Sequence, residues 1–270
     1  MKDLIIVRGG GDIATGTICK LYACGFPVLV LEAAQPSAIR RNVAFSEAVY
    51  LGCQRVENLV CTLAADMNEA ESLLKQGKLA MLVDPAGESI AHFAPMAVVD
   101  GILAKKNLGT RMDMADITIA LGPGFEAGRD VHAVIETMRG HSLGRVIYSG
   151  CAQPNTGIPG PIGGYAAERV IHSPAAGRLR NIKKITDTVE KGDVIAEIDT
   201  GEGCVAVTAP ISGLLRGLIR NGYAVSKGFK IADIDPRMQE YENCFTISDK
   251  ARCIAGGVLE AILHLKGQRK

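Results

Sequence analysis

Hydrophobic and polar positions alternate in blocks at the start of the chain. Residues 4–7 are an apolar run, residues 12–23 are amphipathic, and residues 28–31 are a second apolar run. Continuous apolar runs of this length are typical of strands buried on both faces of a parallel sheet. Gly25 and Pro27 are residues that commonly end a helix. The pattern predicts a strand, a helix and a second strand.

The same alternation continues for about half of the chain. Apolar runs at 79–83, 96–99, 117–121 and 145–149 predict further strands. We expect one helix to begin with the capping-box-like residues 66–69 and another to begin near Asp130. Several alternations of strand and helix are typical of a doubly wound α/β fold. Residues 1–150 are therefore predicted to form a Rossmann-like α/β domain with a mostly parallel sheet.

A repeat with a period of 36 residues follows. Residues 173–182 align without a gap with 209–218, and residues 189–199 align with 225–235. Two copies of a short β unit predict a pseudo-symmetric all-β module over residues 168–236. The pattern resembles the barrel-sandwich hybrid of biotinyl and lipoyl carriers, in which a modified lysine lies on the hairpin between the halves. That hairpin, residues 200–204, contains no lysine here, so we expect a structural or interaction role.

Two further segments complete the predicted domain organisation. Residues 151–167 are rich in proline and glycine and are predicted to be a connector or a functional loop. In residues 237–270 we expect a short strand at 244–247 and a helix from Asp249, with Ser248 as its N-cap. We expect this helix to pack back on the α/β domain and to approach another backbone closely at Gly256 and Gly257.

The turn after the first strand carries the strongest functional signal. Gly9, Gly11 and Ala14 match the G-x-G-x-x-A pattern, in which glycines let a pyrophosphate approach the N-terminus of a helix. Glu32 ends the second strand, where an acid binds a ribose hydroxyl in such sites. The alternative is a glycine turn that only packs a helix on a strand. The candidate binding residues here are Gly9, Gly10, Gly11, Asp12, Ala14 and Glu32.

Two other segments offer anion-binding groups. A second glycine loop follows residues 117–121, and its candidate residues are Gly122, Gly124, Gly128 and Arg129. This loop could hold an anion at the predicted helix start near Asp130, or it could be a turn without a ligand. Arg40 and Arg41 follow the second strand and are candidates to clamp a phosphate or carboxylate. A solvated basic turn is the alternative for these two arginines.

Charge and aromatic content narrow the classes of partner. The chain has 30 Lys and Arg residues against 29 Asp and Glu, a net charge of +1, so no overall field attracts nucleic acid or an anionic membrane. Tryptophan is absent and aromatic residues make up 4%, which argues against stacking platforms for single-stranded nucleic acid. We therefore expect neither nucleic acid nor membrane as a partner.

Cysteine spacing and the N-terminus indicate the compartment. The chain contains no C-x-x-C motif and no cluster at zinc spacing, so we expect free thiols in a reducing cytosol and no metal site. The N-terminus lacks the features of a signal peptide, and no apolar run reaches membrane-spanning length, which predicts a cytoplasmic protein. The eight cysteines are Cys19, Cys24, Cys53, Cys61, Cys151, Cys204, Cys244 and Cys253.

Four motifs together resemble one family. They are residues 8–14 (RGGGDIA), 36–50 (P-x-AIRR-x-VAFSEAVY), 121–125 (LGPGF) and 154–160 (PNTGIPG). These motifs are similar to those of the YqeB family, accessory proteins of the selenium-dependent molybdenum hydroxylase system. The resemblance implies a role in maturing or inserting the molybdenum cofactor of such a hydroxylase. The α/β half is also similar in kind to XdhC molybdenum-cofactor chaperones, although their cysteine motif is missing.

Two hypotheses of different classes follow. The first is an accessory protein that binds a nucleotide or the molybdenum pterin cofactor at the glycine loops and contacts the hydroxylase or other maturation proteins. The second is an NAD-dependent oxidoreductase of the same pathway, whose candidate acids and bases are Asp84, His92, His132 and His141. Selenium delivery through a cysteine, tested best at Cys151, is a weaker third hypothesis. Whether the chain turns over a substrate or forms a homo-oligomer stays open.

Overall fold

The structure, a computed structural model, describes residues 1–155, 157, 160 and 162–268. The chain divides into two compact units, one built from residues 1–36, 44–155 and 247–270 and the other from 37–43 and 156–246. Of the predicted connector 151–167, residues 156, 158, 159 and 161 lie outside the described residues. Residues 37–43 interrupt the first unit, so neither unit is one continuous stretch of chain.

A nine-stranded mixed sheet forms the centre of the first unit. Its order is β10-β9-β7-β6-β1-β2-β5-β4-β3, and β8 and β11 form a separate antiparallel pair. The pairs β3–β4 and β9–β10 at the sheet edges are antiparallel, whereas the central pairs are parallel. The strands are β1 (Ile5–Arg8), β2 (Val28–Glu32), β3 (Cys53–Val56), β4 (Leu59–Leu63), β5 (Leu79–Val83), β6 (Ala97–Asp100), β7 (Ile117–Leu121), β8 (Glu126–Ala127), β9 (Ala133–Ile135), β10 (Val146–Ile147) and β11 (Gly150–Cys151).

The helices of this unit differ greatly in length. They are α1 (Asp12–Ala23), α2 (Ala48–Leu51), α3 (Met67–Lys75), α4 (Ile90–Phe93) and α5 (Asp249–Gln268). Leu73 and Leu74 of α3 join a core cluster with alternate residues of the central strands. Helices α1 and α5 pack closely, because a β-carbon on Gly16 would lie 2.8 Å from the β-carbon of Ala251. None of the helices among the described residues is long and apolar enough to cross a membrane.

The predicted fold class, a Rossmann-like mostly parallel sheet followed by a barrel-sandwich module, is wrong. A doubly wound fold covers its sheet with crossover helices. Here the connection from β5 to β6 holds a single helical turn, and no α-helix lies between β6 and β7 or between β7 and β9. The sheet is mixed and ends in antiparallel pairs, and the remaining sheets are antiparallel. Apolar runs indicated buried strands, but they carried no information about the connections.

The second unit contains two four-stranded antiparallel sheets, ordered β12-β19-β17-β14 and β16-β15-β13-β18. Strands 36 residues apart occupy equivalent positions, so the repeat is visible in the structure. Each copy gives its short strand to the other copy's sheet, since β14 pairs with β17 and β18 pairs with β13. The strands are β12 (Val170–His172), β13 (Gly177–Asn181), β14 (Thr188–Val189), β15 (Val194–Asp199), β16 (Cys204–Thr208), β17 (Gly213–Leu218), β18 (Ala224–Val225) and β19 (Lys230–Asp235).

The prediction of the long C-terminal helix was correct, whereas those of two short elements were not. The long C-terminal helix is confirmed at Asp249–Gln268, and the Ser248 hydroxyl accepts the N–H of Ala251 at 3.2 Å. The predicted close approach is confirmed at Gly257, where a β-carbon would collide with the carbonyl oxygen of Gly144, but it is wrong at Gly256, where a β-carbon would meet no atom within 4 Å. The helix near Asp130 is wrong because a turn closed by the Gly128 N–H on the Val131 carbonyl leads into β9 at Ala133. The strand at 244–247 is wrong because Tyr241–Cys244 is a 3-10 helix.

Candidate functional site

The glycine turn lies at the carboxyl edge of the central strands in the first unit. It follows β1, whose Arg8 lies beside Leu31 of β2 and Asp100 of β6. Gly9 has a φ of +92°, and a β-carbon there would lie 3.0 Å from main-chain atoms of Ile102. Backbone conformation and packing together explain a glycine at this position without a ligand.

Gly10 and Glu32 are joined directly. The Glu32 carboxylate accepts the N–H of Gly10 at 2.7 Å and the N–H of Ala33 at 2.7 Å. The Gly10 carbonyl accepts the N–H of Ser46 at 2.9 Å, and a β-carbon on Gly10 would lie 3.0 Å from that nitrogen. The structure therefore brings together the predicted glycine turn and the predicted acid, but it packs Gly10 against protein.

Gly11 differs from its two neighbours. Its φ of −63° is one that any residue adopts, and a β-carbon there would meet no atom within 4 Å. Gly11 is the N-cap of α1, which begins at Asp12 and has no side-chain cap. The first N–H groups of a helix lack partners within the helix, so this end attracts negative charge. Ala14 lies deeper, because a β-carbon on Gly101 would be 2.9 Å from that of Ala14.

Arg8 is a functional candidate that we did not predict from the sequence. Its side chain is 1% exposed, and it donates to Thr110 Oγ1 at 2.5 Å and to the Pro85 carbonyl at 2.9 Å. Thr110 in turn donates to Asp100 at 2.5 Å, and the Arg8–Asp100 ion pair measures 3.9 Å. The Nε of Arg8 has no hydrogen-bond partner among the described residues. A charged residue that ends a fully apolar strand was the available signal.

A cavity of about 110 Å³ lies between the turn and the strand ends. Arg8 and Glu32 are its charged lining residues. Ligand pockets usually measure roughly 300–1,000 Å³, so this cavity can enclose only one part of a nucleotide or pterin. The rest of such a ligand would extend toward open space. The remaining residues that line the cavity are Gly9, Leu31, Ala33, Pro85, Ile102 and Leu108.

Burial has the largest effect on the pKa values of Glu32 and Asp100. It raises the pKa of Glu32 above its usual range, although the N–H groups of Ala33 and Gly10 act in the opposite direction. Burial likewise raises the pKa of Asp100, opposed by its bonds to Thr110 and Ile102 and by the charge of Arg8. Carboxylates that line or adjoin a cavity favour ligand groups that donate hydrogen bonds, such as hydroxyl or amino groups. A phosphate fits the helix end at Gly11 better.

The second glycine loop lacks the helix that its anion site required. Arg129 is exposed and pairs with Glu126 and with Asp130, the latter at 3.1 Å. The Gly128 N–H donates to the Val131 carbonyl at 2.8 Å. The loop therefore closes on itself through its own polar groups. Packing explains the other two glycines, because a β-carbon on Gly122 would lie 2.6 Å from Thr137 Oγ1 and one on Gly124 would lie 2.6 Å from the Lys106 nitrogen.

Arg40 and Arg41 belong to the second unit. Arg40 donates to the Asn243 carbonyl at 2.9 Å, and Arg41 donates to the Leu218 carbonyl at 2.7 Å. Both guanidinium groups thus bind main-chain carbonyls of the β unit. These bonds attach residues 37–43 to that unit, and the clamp on a phosphate stays a prediction.

Three of the candidate acids and bases have structural partners. The Asp84 carboxylate accepts the N–H groups of Gly87, Glu88 and Ser89. His92 lies 2.9 Å from Glu71, and His132 Nδ1 accepts the N–H of Thr118 at 3.0 Å. Across the part of the chain that the structure describes, no group of three or more His, Cys, Asp or Glu side chains is arranged to hold a metal ion.

Comparison with known sequences gives one informative relative. No protein-family model matches the chain. The chain is 53% identical over 266 residues to the uncharacterized protein YqeB of Escherichia coli strain K12, and the match covers 98% of this chain and 48% of that protein. The chain thus spans about half the length of the curated relative that it matches. This similarity supports the predicted resemblance to the YqeB family, whereas the relative's name assigns no activity.

Three solved structures that resemble the chain do so only weakly. The succinylglutamate desuccinylase/aspartoacylase of Rhodobacter sphaeroides is 13% identical with a TM-score of 0.28, covering 86% of this chain and 84% of that one. An aspartoacylase family protein of Mesorhizobium loti is 12% identical with a TM-score of 0.27 over 86% and 84%. The apo ectoine utilization protein EutE of Ruegeria pomeroyi is 9% identical with a TM-score of 0.28 over 85% and 85%. TM-scores this low do not indicate a shared fold.

Proposed function

We propose that this chain is an accessory factor in the maturation of a selenium-dependent molybdenum hydroxylase, and that it binds a nucleotide or a pterin phosphate at the Gly9–Gly11 turn. The maturation role follows from the resemblance to the YqeB family. The ligand site follows from one observation, the open space at Gly11. Gly9 and Gly10 are explained by packing against the protein, but neither packing nor backbone conformation requires a glycine at position 11.

The surroundings of Gly11 support a ligand with two chemically different ends. A phosphate group on the N–H groups of the α1 N-terminus would gain from the helix dipole. The cavity at the same turn, lined by Arg8, Gly9 and Glu32, would take a smaller portion that both accepts and donates hydrogen bonds. The sugar of a nucleotide and the ring of a pterin both have this character. The partners of the proposed factor are the hydroxylase and other maturation proteins.

Binding can be tested by calorimetry on the intact chain with ADP, NAD and a molybdopterin dinucleotide. We expect micromolar binding of at least one probe. The Gly11→Ala variant should fold normally, because its β-carbon meets no atom within 4 Å, yet it should lose binding by narrowing the approach of the phosphate. The matched control is Gly256→Ala on α5, which also meets no atom within 4 Å and should bind normally. Absence of heat with all three probes would contradict the ligand site.

The maturation role has its own test. A strain that lacks this protein and carries the hydroxylase should regain hydroxylase activity with the wild-type chain and with Gly256→Ala, but not with Gly11→Ala. Complementation by Gly11→Ala despite lost binding would separate the two parts of the proposal. No effect of the wild-type chain would count against the maturation role itself.

The alternative of an NAD-dependent oxidoreductase draws on the contact between Glu32 and Gly10. It requires an acid or base near the nicotinamide, and three of the four predicted candidates are held by other protein groups. Steady oxidation of NADH by the purified chain in the presence of hydroxylase substrates would favour this alternative over a binding protein.

A further inference from the structure

Of the edge strands that the structure describes in the second unit, β16 is the longest. The two sheets of this unit end at β12 and β14 and at β16 and β18. Strand β16 has five residues, whereas β12 has three and β14 and β18 have two each. Among the described residues, no main-chain hydrogen bond joins the outer side of β16 to another element. An edge of this kind is a template for another strand.

The chemistry of β16 lacks the features that usually protect an edge. Its sequence is Cys-Val-Ala-Val-Thr, with no charged residue, no proline and two β-branched valines. Cys204, Val205, Ala206 and Thr208 are exposed, and Val205 is 37% exposed. The equivalent edge strand β12 is short and contains a register shift between Ile171 and His172. Of these two equivalent edge strands, β12 is therefore protected against pairing with another strand and β16 is not.

The hairpin before β16 determines which main-chain groups face outward. The Thr200 N–H donates to the Gly203 carbonyl at 3.0 Å. In an antiparallel ladder, bonded and non-bonded residue pairs alternate. The pair Asp199–Cys204 is then non-bonded, Ile198–Val205 is bonded and Glu197–Ala206 is non-bonded. The N–H and C=O groups of Cys204 and Ala206 consequently point away from β15.

We propose that β16 pairs with β16 of a second copy of this chain, antiparallel about a two-fold axis at Ala206. A strand that pairs antiparallel with itself forms an isologous contact, in which the same surface is used twice. The absence of charge in β16 means that no like charges face each other across the axis. Val205 would lie opposite Val207 of the partner copy, so the exposed valine is covered. The sheet β16-β15-β13-β18 of one copy and the same sheet of the other copy would then form one sheet of eight strands.

Light scattering and sedimentation of the intact chain test this pairing. We expect a dimer for the wild-type chain. Ala206→Pro removes an N–H that points outward, so it spares the ladder to β15 but raises the dimer Kd by about 100-fold, since two central hydrogen bonds are lost. The control Ala206→Val keeps the N–H and adds β propensity, so its dimer should persist. A monomeric wild-type chain, or a folded Ala206→Pro variant that stays dimeric, would overturn the proposal.

Disulfide trapping provides a second measurement that does not depend on the stability of the proline variant. In a Cys204→Ser background, Ala206→Cys places two thiols directly opposite each other across the axis, within the Cα separation that a disulfide spans. We expect a covalent dimer on mild oxidation. The matched control is Ile182→Cys, which is also exposed but has no self-opposed position. Equal trapping at both positions would mean random collision and would overturn the proposed axis.

Discussion

The two copies of the repeat place the same ion pair in two environments. Arg180 and Glu197 of the first copy correspond to Arg216 and Asp233 of the second, 36 residues later. The Arg180 side chain is 68% exposed, whereas that of Arg216 is 17% exposed. Surface ion pairs contribute little to stability, but a buried pair that loses one partner leaves an uncompensated charge. Equivalent register therefore does not mean equivalent energetics.

The difference arises from segments outside the repeat. Residues 37–43 cover the end of β17, where the Leu218 N–H donates to the Ile39 carbonyl at 2.9 Å. The 3-10 helix Tyr241–Cys244 brings Cys244 into the core of this unit. Leu218 is 0% exposed as a result, while its first-copy equivalent Ile182 is 49% exposed. Covering segments decide which copy is buried.

The largest expected effect comes from breaking the buried pair. Asp233→Ala leaves Arg216 and the buried Arg169 without this carboxylate, so we expect a loss of about 3–5 kcal/mol in the free energy of unfolding. Glu197→Ala removes the equivalent exposed partner and should cause no resolvable change. Urea unfolding followed by circular dichroism measures both. Equal losses in the two variants would contradict the comparison.

The apolar counterparts should separate the copies in the same direction. Leu218→Ala opens a cavity in a fully buried position and should cost about 2–5 kcal/mol. Ile182→Ala trims an exposed side chain and should change stability by no more than about 0.5 kcal/mol. The same unfolding experiment applies. If Ile182→Ala lowered the free energy of unfolding as much as Leu218→Ala, Ile182 would have to be covered in solution.

A third pair of substitutions should destabilise both copies. A β-carbon on Gly177 would collide with the Asp199 carbonyl, and one on Gly213 would collide with the Asp235 carbonyl. Both alanine variants should therefore lose about 1–3 kcal/mol, because each crowds its own sheet rather than a covering segment. Gly177→Ala should lose the larger part of this range, because Gly177 also has a φ of +154°. Comparing the unfolding midpoints of the two variants checks this. A large difference between them would mean that the copies differ inside the sheets as well.

The smallest expected effect is one of pH. Burial raises the pKa of Asp235, but hydrogen bonds from Arg237 and the charge of Arg216 outweigh it and hold this pKa below its usual value of 3.8. A depressed pKa stabilises the folded state above the unfolded value, and this stabilisation is lost as the pH falls below about 4. Asp235→Asn should therefore reduce the fall in the free energy of unfolding below about pH 4, measured by urea unfolding at a series of pH values. An unchanged fall in stability at acid pH would mean that other carboxylates cause it.

The sequence supported more of the local structure than of the architecture. The continuous apolar runs correctly located β1, β2, β5 and β7, because burial on both faces leaves a simple signal. The segment after β7 was predicted to be helical, but the Gly128 N–H to Val131 carbonyl bond closes a turn that leads into β9. Short strands with two or three residues have no period to detect, so they were missed or misassigned.

The candidate site shows the same division. The contact between Glu32 and the glycine turn was predictable from their spacing, since neighbouring parallel strands end at the same edge. Arg8 was not predicted as a site residue, because its burial depends on Thr110, about a hundred positions away. Arg40 and Arg41 were expected near a ligand, yet they bind main-chain carbonyls of the β unit.

The sequence by itself determined the strands with strong periodicity, the glycine turn with its acid, and the 36-residue repeat. These features depend on neighbouring residues and on fixed spacing. The tertiary structure decided which strands share a sheet, which copy of the repeat is covered, and which glycine of the turn faces open space. Those outcomes depend on contacts between distant segments, such as residues 37–43 on β17, whose free energy is not encoded in any local pattern.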